Sequence, residues 1–280
     1  MSTAINTDPS RAISISDEEP RLPLEIEYEI FVLAFYNDTK RQTTLLRVAK
    51  RVSEWLIPLL YNVITVYPRS PEYRHPPPTA LRRYGHHTHH ICFRASDSSS
   101  FLPLCPNAYN VAFWFHSTPS PGVFNLPVTR LTFDDFGFLM DELDSDPENT
   151  QLTKWCSNIT HLTVAEAFTK TERKYLVHFS ALEYLMILEW YDNGSLGETI
   201  KHLPRLKVAV RLLGSVSDNE KTQVVGYSKL DEEYQDIRII RMDALFMADW
   251  VRGAQGLGDV FDMAEREVEA RKQASVKGLP

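Results

Sequence analysis

The sequence predicts an α/β chain: a short helical head, then a longer repetitive body that ends in a helix. Three observations carry this. Residues 22–61 hold two adjacent stretches whose apolar residues recur at three- and four-residue steps, the spacing of one helical face. From residue 86 onward the pattern apolar-x-x-apolar-x-apolar returns at near-regular intervals. After the last of these comes an amphipathic stretch, Val260 to about Arg271, with Phe261, Ala264 and Val268 on one stripe.

The chain opens with a polar tail, residues 1–20, whose Pro9, Pro20 and Asp17-Glu18-Glu19 run read as disordered and solvated. In the head, 21–66, the first stripe is Ile26, Ile30, Leu33 and Ala34; the second is Leu45, Val48, Ala49, Val52, Leu56 and Leu60. A link of about six residues makes the two helices neighbours in space. Pro23 suits a first helical turn, where its missing N–H costs nothing. Glu25, Glu27 and Glu29 complement the positive end of the helix dipole, and Asn37-Asp38-Thr39 ends the helix. Pro58 predicts a kink or break near Ile57. Beyond it, Val63, Ile64 and Val66 favour a strand. Five prolines in 67–78 preclude a regular element, so 67–85 reads as a semi-rigid linker.

In the body, 86–280, the pattern fits Ala108-Val111-Phe113, Val128-Leu131-Phe133, Ile159-Leu162-Val164, Leu182-Leu185-Ile187, Leu203-Leu206-Val208 and Tyr234-Ile237-Ile239. His87-His90-Cys92 is a degenerate first copy. The middle positions are spaced by 21, 20, 31, 23, 21 and 31 residues, mostly within the leucine-rich-repeat range of roughly 20 to 29. The last two apolar positions alternate along a short strand and face inward; the first tucks the entering turn beneath it. No such unit closes a core alone, so neighbours stack as an irregular α/β solenoid. Thr169–His178 and Leu196–His202 read as short helices between strands, Ile237–Leu245 as a final strand, and the terminal helix as a cap. A periodic β-rich fold that does not wind as a solenoid is the alternative.

Leu22-Pro23-Leu24-Glu25-Ile26, then Ile30 and Leu33, then Val48, Lys50-Arg51, Trp55 and Pro58-Leu59-Leu60-Tyr61 resemble an F-box. They are most similar to the F-box-like proteins numerous in mushroom-forming fungi, in which the motif is often shortened, as here. The likeness covers about 40 residues well and the body more loosely, including Cys105-Pro106-Asn107, Cys156-Ser157-Asn158 and Leu203-Pro204 before strands. It implies a substrate receptor that docks on the Skp-type adaptor of a cullin–RING ubiquitin ligase. Leu22, Pro23, Ile26, Ile30, Leu33, Val48 and Trp55 match positions used there for packing or adaptor contact. The alternative is an adaptor-independent repeat scaffold whose head is a structural cap, with Ile26, Ile30 and Val52 buried and no apolar patch.

Composition bounds the function. Hydrophobic residues are 43% of 280 and the net charge is −7, enough for a core and against generic binding of a phosphate backbone. Nucleic acid is therefore not an expected partner. Cys92, Cys105 and Cys156 are odd in number and far apart, which reads as buried thiols in a reducing compartment. The start of the chain does not read as a secretory signal, and no run of about 18 apolar residues occurs. The expected location is cytoplasmic or nuclear, without membrane, and the sequons at Asn37, Asn158 and Asn193 are chance matches.

No catalytic, cofactor or metal residues are expected. Gly253 to Gly258 is spaced GxxGxG, not GxGxxG, and reads as a loop that turns the last helix back. His86-His87-Thr88-His89-His90 is the most tempting cluster. As a strand it sets His87 and His89 on one face and His86, Thr88, His90 and Cys92 on the other, but no nearby carboxylate completes a metal site. Asp134-Asp135 and Asp141-Glu142 read as a solvated acidic loop. GxSxG, HExxH and P-loop patterns do not occur, which agrees with a non-enzyme.

Overall fold

A computed structural model describes residues 22–37, 41–66, 76–94, 98–114, 119–134, 136–146, 149–165, 168–188, 196–212, 236–242 and 246–277. The predicted tail, Pro68, Pro71, Asp135 and Tyr234 lie outside these. The chain divides into two compact units, residues 1–57 and 58–280.

In the first unit α1 spans Leu24–Asn37, with Glu25 and Glu27 in its first turn. The expected second helix is split. A short α2, Gln42–Leu45, is followed by a turn, and α3 begins at Lys50 and runs to Asn62. The turn is tight, with Arg47 and Val48 donating to carbonyls three residues back, Thr44 and Leu45. The β-branched pair Thr43-Thr44 is a poor helix former. Leu45, Val48 and Ala49 therefore do not share a stripe with Val52 and Leu56. Pro58 does not break α3. The carbonyl it leaves without a donor belongs to Glu54, an exposed residue, where water can replace the missing N–H.

The second unit holds a sheet of eight parallel strands in chain order: β1 Val63–Val66, β2 His90–Arg94, β3 Asn110–Trp114, β4 Arg130–Phe133, β5 His161–Val164, β6 Tyr184–Leu188, β7 Val208–Leu212 and β8 Ile239–Met242. Ile64, Ile91, Val111, Leu131, Leu162, Leu185, Ala209 and Ile239 form one register row. Their spacings are 27, 20, 20, 31, 23, 24 and 30 residues. Four predicted repeat copies, those of β3 to β6, fall in this frame. The others shift. In β2 the inward residues are Ile91 and Phe93, not His90 and Cys92. In β7 Ala209, not Leu206, pairs with Leu185, and in β8 the row residue is Ile239, not Ile237. Leu203-Leu206-Val208 satisfies the same spacing three residues early, because Leu206 sits in the entering turn.

That turn recurs. Ala108, Ile159, Leu182 and Leu206 each donate a backbone N–H to the residue three before, Cys105, Cys156, Phe179 and Leu203, at 3.0–3.1 Å. All eight residues are buried. The connections carry α4 Pro78–Tyr84, α5 Gly137–Ser145, α6 Thr150–Cys156 and α7 Leu196–Ile200, with 3-10 turns at Gly85–His87, Leu102–Leu104, Pro121–Asn125 and Glu172–His178. Helix α4 corrects the linker reading. Pro78 opens it, where its lost N–H is harmless. The connections and the inward strand residues make one core. Within it Phe93, Phe113 and Phe133 stack across β2, β3 and β4 with centroids 5.5 and 5.6 Å apart, a cross-strand aromatic ladder.

Two helices follow the sheet, α8 Phe246–Ala254 and α9 Val260–Val276. The first begins directly after the predicted strand Ile237–Leu245, of which Ile239–Met242 is β8. The pair does not cap an end. It covers the second face of the sheet. Trp250 and Ala254 pack on Cys92 and Ala112, and Phe246 stacks on Trp114 at 4.7 Å. The predicted stripe of α9, Phe261, Ala264 and Val268, packs with Met186, Leu188, Val208, Val210, Leu212, Ile240 and Met242. The elbow between the helices uses Gly256 and Gly258 at φ 74° and 79°, where a side chain is strained. Asp259 then caps α9 in a reciprocal box with Asp262.

Candidate functional sites

Two places present chemistry, one in each unit. In the first unit Leu22, Leu24, Ile26, Tyr28, Ile30, Leu33 and Val48 are between 40% and 63% exposed, and Pro23 is exposed too. Six of the seven predicted adaptor-contact residues are thus on the surface. Trp55 is partly exposed and meets Tyr28 edge-on at 5.7 Å. Glu27 of α1 and Arg51 of α3 pair at 2.7 Å. Among the described residues of this unit the buried ones are Phe35, Val52 and Leu56. The stripe Ile26, Ile30 and Leu33 is therefore surface rather than core. Leu24 and Tyr28, outside the predicted contact set, are exposed on another side of α1. Their signal is that the apolar residues of α1 are not confined to one stripe.

The second place lies in the second unit, between the sheet and the α8–α9 elbow. The second-face residues of β6 to β8 are mostly apolar. Those of β2 to β5 are mostly polar: His90, Asn110, Arg130, Thr132, His161 and Thr163. Over them is a cavity of about 20 Å³, counted over positions a water centre can take, room for about one water. Arg130, Thr132, His161, Asp249, Trp250 and Asp259 help to line it. The guanidinium of Arg130 is ion-paired with the Asp259 carboxylate.

The histidine run is divided by the fold rather than gathered. His86 and His87 lie in a 3-10 turn with rings 3.9 Å apart, and Nδ1 of His89 meets Oδ1 of Asn62 at 2.9 Å. His90 is buried on the second face beside Cys92, as the alternation predicts for that pair. Trp250 Nε1–H donates to Asn110 Oδ1 at 3.3 Å. Asn110 Nδ2 therefore donates to His90 Nδ1 at 3.0 Å, and the His90 proton sits on Nε2, which donates to the Tyr109 hydroxyl at 3.2 Å. Burial, with Arg130 and His89 adding, lowers His90 to a pKa of about 4. His161 stacks on Tyr184 at 4.3 Å; burial and Arg130 lower it to about 3. Both rings are neutral at pH 7 and held by neighbours.

Asp249 is 4% exposed. Its Oδ2 accepts the Val260 N–H at 3.0 Å, and its Oδ1 is buried with no partner among the described residues. Burial raises its pKa to about 6. The three cysteines are buried and unpaired. Burial pushes Cys92 and Cys156 up to about 12 and raises Cys105 as well, so none is an activated thiolate. Asp141 is exposed on α5 and Asp259, not a phosphate, occupies the N-terminus of α9. Among the described residues no three or more His, Cys, Asp or Glu side chains gather in a metal-binding group. Among them, too, no helix is long and apolar enough to cross a membrane. The polar set on β2 to β5 and the elbow carboxylates escaped sequence reading. Its signal was the polar residue at alternate strand positions, which the repeat frame in β2 hid.

No protein-family model, curated protein or solved structure matches the chain.

Proposed function

We propose that the chain is an intracellular protein-interaction adaptor of the F-box-like type. In this reading the head docks on a Skp-type adaptor of a cullin–RING ligase, and the body is a leucine-rich-repeat-like solenoid that recruits a target protein. The observation that supports it is the exposed apolar surface of the head, Leu22, Leu24, Ile26, Tyr28, Ile30, Leu33 and Val48. Exposed large apolar side chains on a surface helix are the form of a docking face. Strands spaced by 20 to 31 residues, four of them entered by the same buried turn, support the repeat reading.

The test is a pull-down of the full chain with purified Skp-type adaptor, beside Ile30→Glu/Leu33→Glu. Ile30 and Leu33 are 49% and 63% exposed, so the change leaves the fold intact. Binding tighter than micromolar, worth about 8 kcal/mol, is expected for the native chain and is lost in the variant. No binding by the native chain removes the ligase reading; equal binding by the variant removes this surface.

A further inference from the structure

The elbow cavity is short of one positive charge. Two carboxylates, Asp249 and Asp259, are 4% and 5% exposed there. Among the cavity-lining residues Arg130 is the cation, and it is committed to Asp259. Asp249 keeps one oxygen on the Val260 N–H; the other is buried in a wall of the cavity and has no partner among the described residues. An isolated buried carboxylate is costly and is relieved by a proton, a cation or a strong donor. The other groups nearby do not offset the burial. His90 on β2 and His161 on β5 are neutral, and the exposed Arg252 on α8, with Arg130, favours the charged form by less than burial and Asp259 oppose it.

We propose that this cavity is a proton site: Asp249 takes up the missing positive charge as a proton, and the α8–α9 elbow is held to the sheet more tightly when it does. The protonated carboxyl keeps its acceptor oxygen on Val260 and turns an O–H donor towards the cavity, which has room for one water to accept it. Deprotonation returns an uncompensated charge to the buried site and favours opening, where the carboxylate meets solvent. The direction of its titration, raised to about 6 by burial, agrees. The consequence is a helix pair over the second sheet face to whose grip this carboxyl gives a pH dependence between about 4 and 6.

Opening also exposes His90 and His161, which bind protons in the opposite sense, so the measurement is a comparison with Asp249→Asn. The variant keeps an acceptor for Val260 and fills the donor position without a charge. Hydrogen exchange of α8–α9 amides, Val260 first, is followed on both full-length proteins from pH 4 to 7. The histidine contribution cancels in the ratio of their opening constants. That ratio is expected to rise about tenfold per pH unit between about 4 and 6, then level at roughly 100-fold. A flat ratio overturns the proposal. Carboxyl ¹³C titration of the native chain provides a second readout if the variant fails to fold. A transition near 6 for Asp249 supports the proton site, and one in the ordinary carboxylate range overturns it. Exchange at pH 7 with sodium or calcium chloride decides the other route: saturable protection of the native chain alone assigns the missing charge to a metal cation and overturns the proton.

Discussion

Lowering the pH from 7 to 5 should weaken the second unit by about 2–3 kcal/mol, and the size follows from three groups on the sheet's second face. His90 and His161 have folded pKa values near 4 and 3, against about 6.5 unfolded. Depressed values mean that the unfolded chain binds the protons. Stability from these rings is therefore full above about 6.5 and is lost as the pH falls toward 4 and 3. Each ring removes about 2 kcal/mol between pH 7 and 5. Asp249 acts in the opposite sense. Its folded pKa is raised to about 6, so the folded chain binds the proton, and the same change returns about 1 kcal/mol. Urea denaturation at the two pH values measures the net. His161→Phe sharpens the test, because Phe keeps the stack on Tyr184 and the edge contact with Phe261. The Thr160 hydroxyl, which loses His161 Nδ1, still has the Thr129 carbonyl. The variant should lose less than about 1 kcal/mol over the same range. A native chain whose stability changes by less than that, or a variant with the full native slope, refutes the reasoning.

Other changes test the core. Phe113→Ala removes a fully buried ring stacked between Phe93 and Phe133 and should cost about 4 kcal/mol in chemical denaturation; a loss below about 1 kcal/mol would contradict the ladder. Gly85→Ala should destabilise by at least about 2–3 kcal/mol, seen as a lower melting temperature, because the added Cβ meets the Leu104 carbonyl oxygen at 2.0 Å. Cys92, Cys105 and Cys156 should not react with a thiol reagent at pH 8 in the native protein, and all three should react in urea; fast reaction of Cys92 in the native state would place it elsewhere.

Residues that repeat made the fold legible. Val111, Leu131, Leu162 and Leu185 are large, apolar and correctly spaced, so β3 to β6 could be placed from sequence. Ala209 is small and lies three residues after a leucine with the same spacing, so β7 slipped. In β2 the histidine run drew the eye to alternate positions one residue out of phase, and a one-residue shift exchanges the two faces of a strand. Helix α8 was missed because Trp250, Met247 and Phe246 adjoin an apolar strand and extend its composition. The cavity was illegible for another reason. Arg130 and Asp259 are 129 residues apart, and nothing local in either segment announces the other.

In the proposed adaptor reading, the covered second face changes where a target can be held. A repeat body with a bare strand face invites a ligand there, yet α8 and α9 occupy it, and the occupation is apolar over β6 to β8. Met186, Leu188, Val208, Val210, Leu212, Ile240 and Met242 are 0–3% exposed beneath α9. At about 1.5–3 kcal/mol for each large side chain kept from water, such a cover is not displaced by a competing ligand of ordinary affinity. Removing residues 246–280 should therefore yield an aggregating protein, read by light scattering, rather than a bared binding face. A truncated chain that stays monomeric and gains a target would show that the helices are a detachable lid. Over β2 to β5 the cover joins the apolar packing of Phe246, Trp250 and Ala254 to a polar cavity, so a single carboxyl there tunes the cover rather than releasing it.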